Sequence, residues 1–201
     1  MPPEGTPGPL PDPPADLGRR SLPVRTLSAP WYRLHARGRQ AVFFGRTGLG
    51  RFDAPAGEFG TLYLAEDVPG AFVETFGQAT ARRILALPDL ARRRLARIEP
   101  PRPLRLVDLT GAGLARIGAD ARLFAGDHAV ARRWALALHR HPRAPDGVLY
   151  PARHDPSRRA AAVFDRVRGR FRAKDLGSLD ERRNARLLAG LLDRYGFGLV
   201  A

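Results

Sequence analysis

Short strand-like and helix-like stretches follow one another along this chain without a regular βαβ order, and that pattern narrows the fold to the α+β class. Residues 31–34 (WYRL) and 61–64 (TLYL) are apolar, aromatic and bounded by turn residues, which predicts two strands. Another apolar run covers 41–44, and Gly45, Gly48 and Gly50 punctuate the loop that follows. Asp67 has the chemistry of a helix N-cap and Pro69 suits a first turn. Ala71, Phe72, Thr75 and Phe76 then recur at helical spacing, so a helix is predicted over 68–79. A second helix is predicted over 88–94, before Pro100, Pro101 and Pro103 break the chain. Residues 104–109 alternate like a half-buried strand. The clearest amphipathic helix spans 127–139, capped by Asp127, with Val130, Trp134, Ala137 and Leu138 as its apolar stripe. Strands at 148–150 and 160–164, a helix over 180–195 and a last strand at 197–200 complete the reading.

Nine prolines fall within the first thirty residues, and apolar periodicity is almost absent there. Residues 1–28 therefore read as a disordered Pro-rich leader and 29–201 as one folded domain. The leader lacks the basic start and apolar run of a secretory signal, and no later segment has the roughly 18 apolar residues of a membrane span. Cysteine is absent, which excludes disulfides, thiolate chemistry and Cys-ligated zinc. These features fit a cytoplasmic enzyme or binding protein.

The formal charge of +14 raises nucleic-acid binding as a rival function. Lys174 is the sole lysine among 34 basic residues in a chain rich in Ala, Gly and Pro, so a G+C-rich genome accounts for the bias. The arginines are dispersed and the aromatics sit in apolar segments rather than between basic residues. That argues against direct nucleic-acid binding.

Three apolar segments each carry one group that is expensive to bury: Arg33 in WYRLH, Tyr63 in TLYLA and Glu74 in AFVET. A buried guanidinium or carboxylate needs a partner or a ligand. Converging on one cleft, these three could bind a phosphate, stack an aromatic ring and stabilise a developing cation. Arg51, directly after the glycine loop, adds a guanidinium suited to clamping a pyrophosphate. The loop itself lacks the Gly-Lys-Ser/Thr of a P-loop. His139 and His141, and His154 with Asp155, raise a metal site, but His139 closes a helix and complements its dipole and Asp155 before Pro156 reads as a turn residue, so no metal site is predicted. Ser28, Ser157 and Ser178 have no evident His partner and no Gly-x-Ser-x-Gly elbow exists, which argues against a serine hydrolase.

With these residues in place, the chain resembles the RES-domain family, the toxins of RES–Xre toxin–antitoxin modules, over about 31–200. Arg33 in WYRL matches the family arginine and Arg51 in RFD its Arg-Phe-Asn/Asp segment. Tyr63 in GTLYLA matches the strand tyrosine, and Glu74, eleven residues on, the glutamate. DLTG from Asp108 and DGVLYPARHD from Asp146 match two further blocks. The family serine is replaced by Ala152, which cannot donate a hydrogen bond. The resemblance implies an ADP-ribosyltransferase-like fold of mixed sheets with flanking helices. It also implies an activity that destroys NAD+ by releasing nicotinamide, with NAD+ as substrate and no cofactor. In that reading Glu74, Arg33 and Tyr63 are catalytic. Arg33, Tyr32, Arg51, Tyr63 and the Ala152 position line the NAD+ site, and the partner is an Xre-type helix-turn-helix antitoxin. The replacement of serine by Ala152 also leaves open a disabled binding module.

Overall fold

Ten strands and six α-helices form among the residues that the computed structural model describes, namely 11–28, 30–79, 83–167 and 169–201. In chain order they are β1 (Val24–Leu27), β2 (Trp31–Ala36), β3 (Thr61–Ala65), α1 (Val68–Phe76), β4 (Ile84–Ala86), α2 (Leu87–Ala91), β5 (Arg93–Glu99) and β6 (Leu104–Asp108). Then follow α3 (Ala112–Ile117), α4 (Arg122–Ala125), α5 (His128–His139), β7 (Gly147–Ala152), β8 (Asp155–Phe164), β9 (Arg172–Gly177), α6 (Ala185–Tyr195) and β10 (Gly198–Val200). The α+β class is as expected: one large mixed sheet with flanking helices.

Eight strands form the main sheet in the order β1-β6-β7-β8-β3-β2-β5-β9, while β10 and β4 make a small parallel pair. Only β6 and β7 run parallel in the main sheet. Their long crossover carries α3, α4 and α5, as a parallel connection requires.

The feature that makes room for a site is a seam. β2 pairs with β5 over six residues and β3 with β8 over five, but β2 and β3 share one register pair, Tyr32 with Ala65. The sheet thus divides into two halves that touch at one rung. Behind the seam, Trp31, Leu62, Ile98, Leu104 and Leu149 pack into a common apolar cluster that joins the halves.

Local chemistry accounts for the two helices nearest the site. The Asp67 carboxylate accepts from the Gly70 N–H at 2.7 Å and Pro69 occupies the first turn of α1. Phe72 and Phe76 then pack with Leu34 of β2 and with Leu188 and Leu191 of α6. The Asp127 carboxylate accepts from the Ala129 N–H at 2.8 Å and starts α5. Its buried stripe is Ala131, Trp134, Ala135 and Leu138, so the expected stripe is rotated by about a residue and Val130 and Ala137 are only half-buried.

Two expectations need correction. Residues 1–10 of the supposed leader lie outside the described residues, but 11–28 belong to the fold. β1 pairs antiparallel with β6, Leu17 and Leu22 are buried in the α5 core, and the Trp134 indole N–H donates to the Pro11 carbonyl at 3.0 Å. Prolines there shape the approach to a strand: the Pro23 carbonyl accepts from the Asp108 N–H at 2.7 Å. The helix expected over 88–94 ends with α2, and 93–99 form β5, an interior strand between β2 and β9. A bulge between Leu95 and Ala96 puts both inside and disrupts the alternation that would have marked it. The run at 41–44 forms no strand.

Candidate active site

Where the two half-sheets part, a cavity of about 310 Å³ opens, lined by Arg33, Tyr63 and Glu74 together with Tyr32 and Arg51. Arg33 and Tyr32 come from β2 and Tyr63 from β3, so the two sides of the seam each supply part of the wall. Glu74 reaches it from α1, which follows β3 directly. Arg51 arrives on the glycine-rich loop between β2 and β3.

Each group is held in a distinct way. Arg33 Nη1 donates to the Ala41 carbonyl at 3.0 Å and the Phe43 carbonyl at 3.4 Å, which gives the 41–44 run its role. Burial, then the nearby Arg93 charge, lowers the guanidinium's pKa, although an arginine keeps its proton. Arg51 Nη1 donates to the carbonyls of Gly126 at 2.8 Å and Leu123 at 3.4 Å. Burial and the neighbouring Arg153 lower its pKa as well. Among the described residues neither arginine forms a salt bridge; the Glu74 charge acts on Arg51, whereas Arg33 Nη1 is held by main-chain carbonyls.

The Glu74 carboxylate accepts from the Arg153 backbone N–H at 2.8 Å on Oε1, and the Tyr150 hydroxyl approaches Oε2 at 3.5 Å. Burial raises its pKa, opposed by the Arg153 N–H, the Tyr150 hydroxyl and the charges of Arg51 and Arg153. It is a poorly hydrated carboxylate with fixed orientation, the condition under which its field on a nearby cation is strongest. The Tyr63 and Tyr150 phenols are both pushed well above their usual pKa, by burial first and then by Asp53 and Glu74 respectively. Neither titrates near neutral pH.

Tyr150, Arg153 and His154, from the DGVLYPARHD block, and His128 also line the cavity, although the sequence assigned none of them to the NAD+ site. Tyr150 reads as an ordinary core residue of a strand. Arg153 touches Glu74 through its main chain, which leaves no residue-type signal. Ala152 behaves differently from expectation: it is 1% exposed and is not among the lining residues, although Pro151 and Arg153 on either side are. A hydroxyl there would be enclosed by protein rather than offered to a ligand. His139 stacks on Phe59 with centroids 4.3 Å apart, a packing role away from the cavity. Among the described residues, no group of three or more His, Asp or Glu is placed to hold a metal ion, and no helix is long and apolar enough to cross a membrane.

Comparison with known proteins identifies the family and the fold. The crystal structure of the Mycobacterium tuberculosis MbcT–MbcA toxin–antitoxin complex contains a chain that superposes with a TM-score of 0.58 at 25% identity, covering 84% of this chain and 92% of that one. A Sinorhizobium fredii protein named probable toxin y4kH is 33% identical over 107 residues, 52% of this chain and 81% of that protein. The RES domain is matched over residues 30–183, which include every cavity residue named above. This chain belongs to the RES domain family.

Proposed function

We propose that this protein is the toxin of a toxin–antitoxin pair and that it destroys NAD+ by breaking the nicotinamide–ribose bond. The observation that carries the proposal is one cavity lined by a single buried carboxylate, Glu74, on which the charges of Arg51 and Arg153 act, and by a third arginine, Arg33. That inventory suits a dianionic pyrophosphate ligand whose reaction passes through a cation. The toxin names carried by MbcT and by the S. fredii protein support the biological role.

In the proposed reaction Arg33 and Arg51 hold the pyrophosphate, with Arg153 adding to the field. The rings of Tyr63 and Tyr32 flank the nicotinamide. As the C1′–N bond lengthens, its electron pair leaves with nicotinamide, which departs neutral. Positive charge then develops on C1′ and the ribose ring oxygen, where the Glu74 carboxylate stabilises it. Water or phosphate adds to C1′. When water attacks, its proton passes to Glu74, whose raised pKa favours acceptance. No cofactor is needed. The partner that restrains this activity is an Xre-type helix-turn-helix antitoxin, and both act in the cytoplasm.

The test is to incubate the purified chain with NAD+, with and without phosphate, and to quantify nicotinamide and the sugar product. Glu74→Gln is expected to lower nicotinamide release by roughly two to three orders of magnitude, the scale for removing one preorganised electrostatic stabiliser. Equal rates for wild type and variant would remove Glu74 from the chemistry.

A further inference from the structure

Beneath Arg51 lies a buried polar joint for which the proposed reaction has no use. Asp53 is 3% exposed, and both of its carboxylate oxygens are engaged. Oδ2 accepts from the Gly50 N–H at 2.9 Å and from the Thr47 hydroxyl at 3.2 Å, and Oδ1 accepts from the Tyr63 hydroxyl at 2.9 Å. The Tyr63 oxygen in turn accepts from the Phe52 N–H at 2.9 Å. Donating once and accepting once, this hydroxyl is satisfied within the protein, while the Tyr63 ring lines the cavity.

The joint is closely fitted. A Cβ on Gly50 would lie 2.3 Å from the Tyr63 oxygen and 2.6 Å from Asp53 Oδ1, so no larger residue fits this position without displacing them. From the opposite side, Arg132 Nε donates to the Gly50 carbonyl at 3.1 Å, and Arg51 itself reaches the Gly126 carbonyl. Residues 50 to 53 are therefore fixed from both sides, and Arg51 is the one charged side chain in that span that lines the cavity.

We infer that the Tyr63 hydroxyl and Asp53 are positioning groups: they lock the turn that aims the Arg51 guanidinium at an anionic, diphosphate-bearing ligand. The inference rests on the proposal that Arg51 holds the pyrophosphate. Removing the hydroxyl orphans the Phe52 N–H and one Asp53 oxygen, both enclosed, and the turn relaxes to satisfy them. The effect on ligand therefore passes through Arg51.

The experiment is a double-mutant cycle on the full chain, with ADP as the probe and calorimetry as the readout. Tyr63→Phe, which keeps the ring, and Arg51→Ala are each expected to weaken ADP binding by roughly tenfold, and the double variant to bind no worse than Arg51→Ala within about twofold. In NAD+ turnover Asp53→Asn, at a residue that does not line the cavity, is expected to raise KM by a similar factor with kcat within about threefold of wild type. Wild-type ADP affinity in Tyr63→Phe, or penalties that multiply in the double variant, would overturn the inference, as would failure of the wild type to bind ADP. Should Tyr63→Phe fail to fold, Asp53→Asn takes its place in the cycle with the same criteria. A wild type that binds ADP with the expected coupling yet spares NAD+ refutes the proposed reaction and leaves the positioning role standing.

Discussion

Glu74 shows how burying one carboxylate in a cavity wall works against folding. Its raised pKa means that the folded protein holds the proton more tightly than the unfolded chain does. The stabilising contribution is present below the ordinary value of 4.5 and is lost as pH rises through the raised value. At neutral pH the ionised carboxylate is thus a net burden. Glu74→Gln is expected to melt at a higher temperature than wild type at pH 7, with the gap closing below pH 4.5, as followed by thermal unfolding. A lower melting temperature at pH 7 would contradict this. Ala152 is the second residue whose role the structure changes. Because its side chain is enclosed away from the cavity wall, Ala152→Ser is expected to leave nicotinamide release within about threefold and to lower stability by about 1 kcal/mol through an enclosed hydroxyl. A large gain in turnover would instead identify the native chain as a disabled copy.

Elements were readable from the sequence where their cause is local. α1 was legible because Asp67, Pro69 and the Phe72 and Phe76 spacing all act within a few residues of one another. β5 was not, because its strand character comes from partners on either side and a bulge at Leu95 and Ala96 erases its period. β1 was hidden for the opposite reason. Proline content signalled disorder, yet Leu17 and Leu22 supply apolar surface to the α5 core. Leu22→Ala is accordingly expected to reduce unfolding free energy by about 2–5 kcal/mol in a urea titration. A neutral result would return this segment to the status of a leader. The site followed the same rule: Arg33, Tyr63 and Glu74 could be picked out as charged or polar groups in apolar stretches. Tyr150 and Arg153 fall in the DGVLYPARHD block, but their contacts with Glu74 arise from tertiary placement and have no local signal.

Across the whole molecule, acid should act through buried imidazoles before it acts on most carboxylates. Burial drives His139 down to about 4, and His35, His128 and His154 are lowered in the same direction for the same reason. A group depressed in this way contributes stability above its unfolded value of 6.5, and that contribution is lost as pH falls through the folded value. The unfolding midpoint is therefore expected to fall between pH 6.5 and about 4, and His139→Phe, which keeps a ring on Phe59, to flatten that decline. A decline unchanged in the variant would assign acid sensitivity to other groups.

The single rung between β2 and β3 has a consequence for how such a protein can be tuned. Because β2 and β3 share only that rung, the two half-sheets are held together beside the cavity by the oily wedge of Trp31, Leu62, Ile98, Leu104 and Leu149. Trimming or enlarging that wedge is expected to shift Tyr32 and Arg33 of β2 against Tyr63 of β3 without altering any residue that lines the cavity.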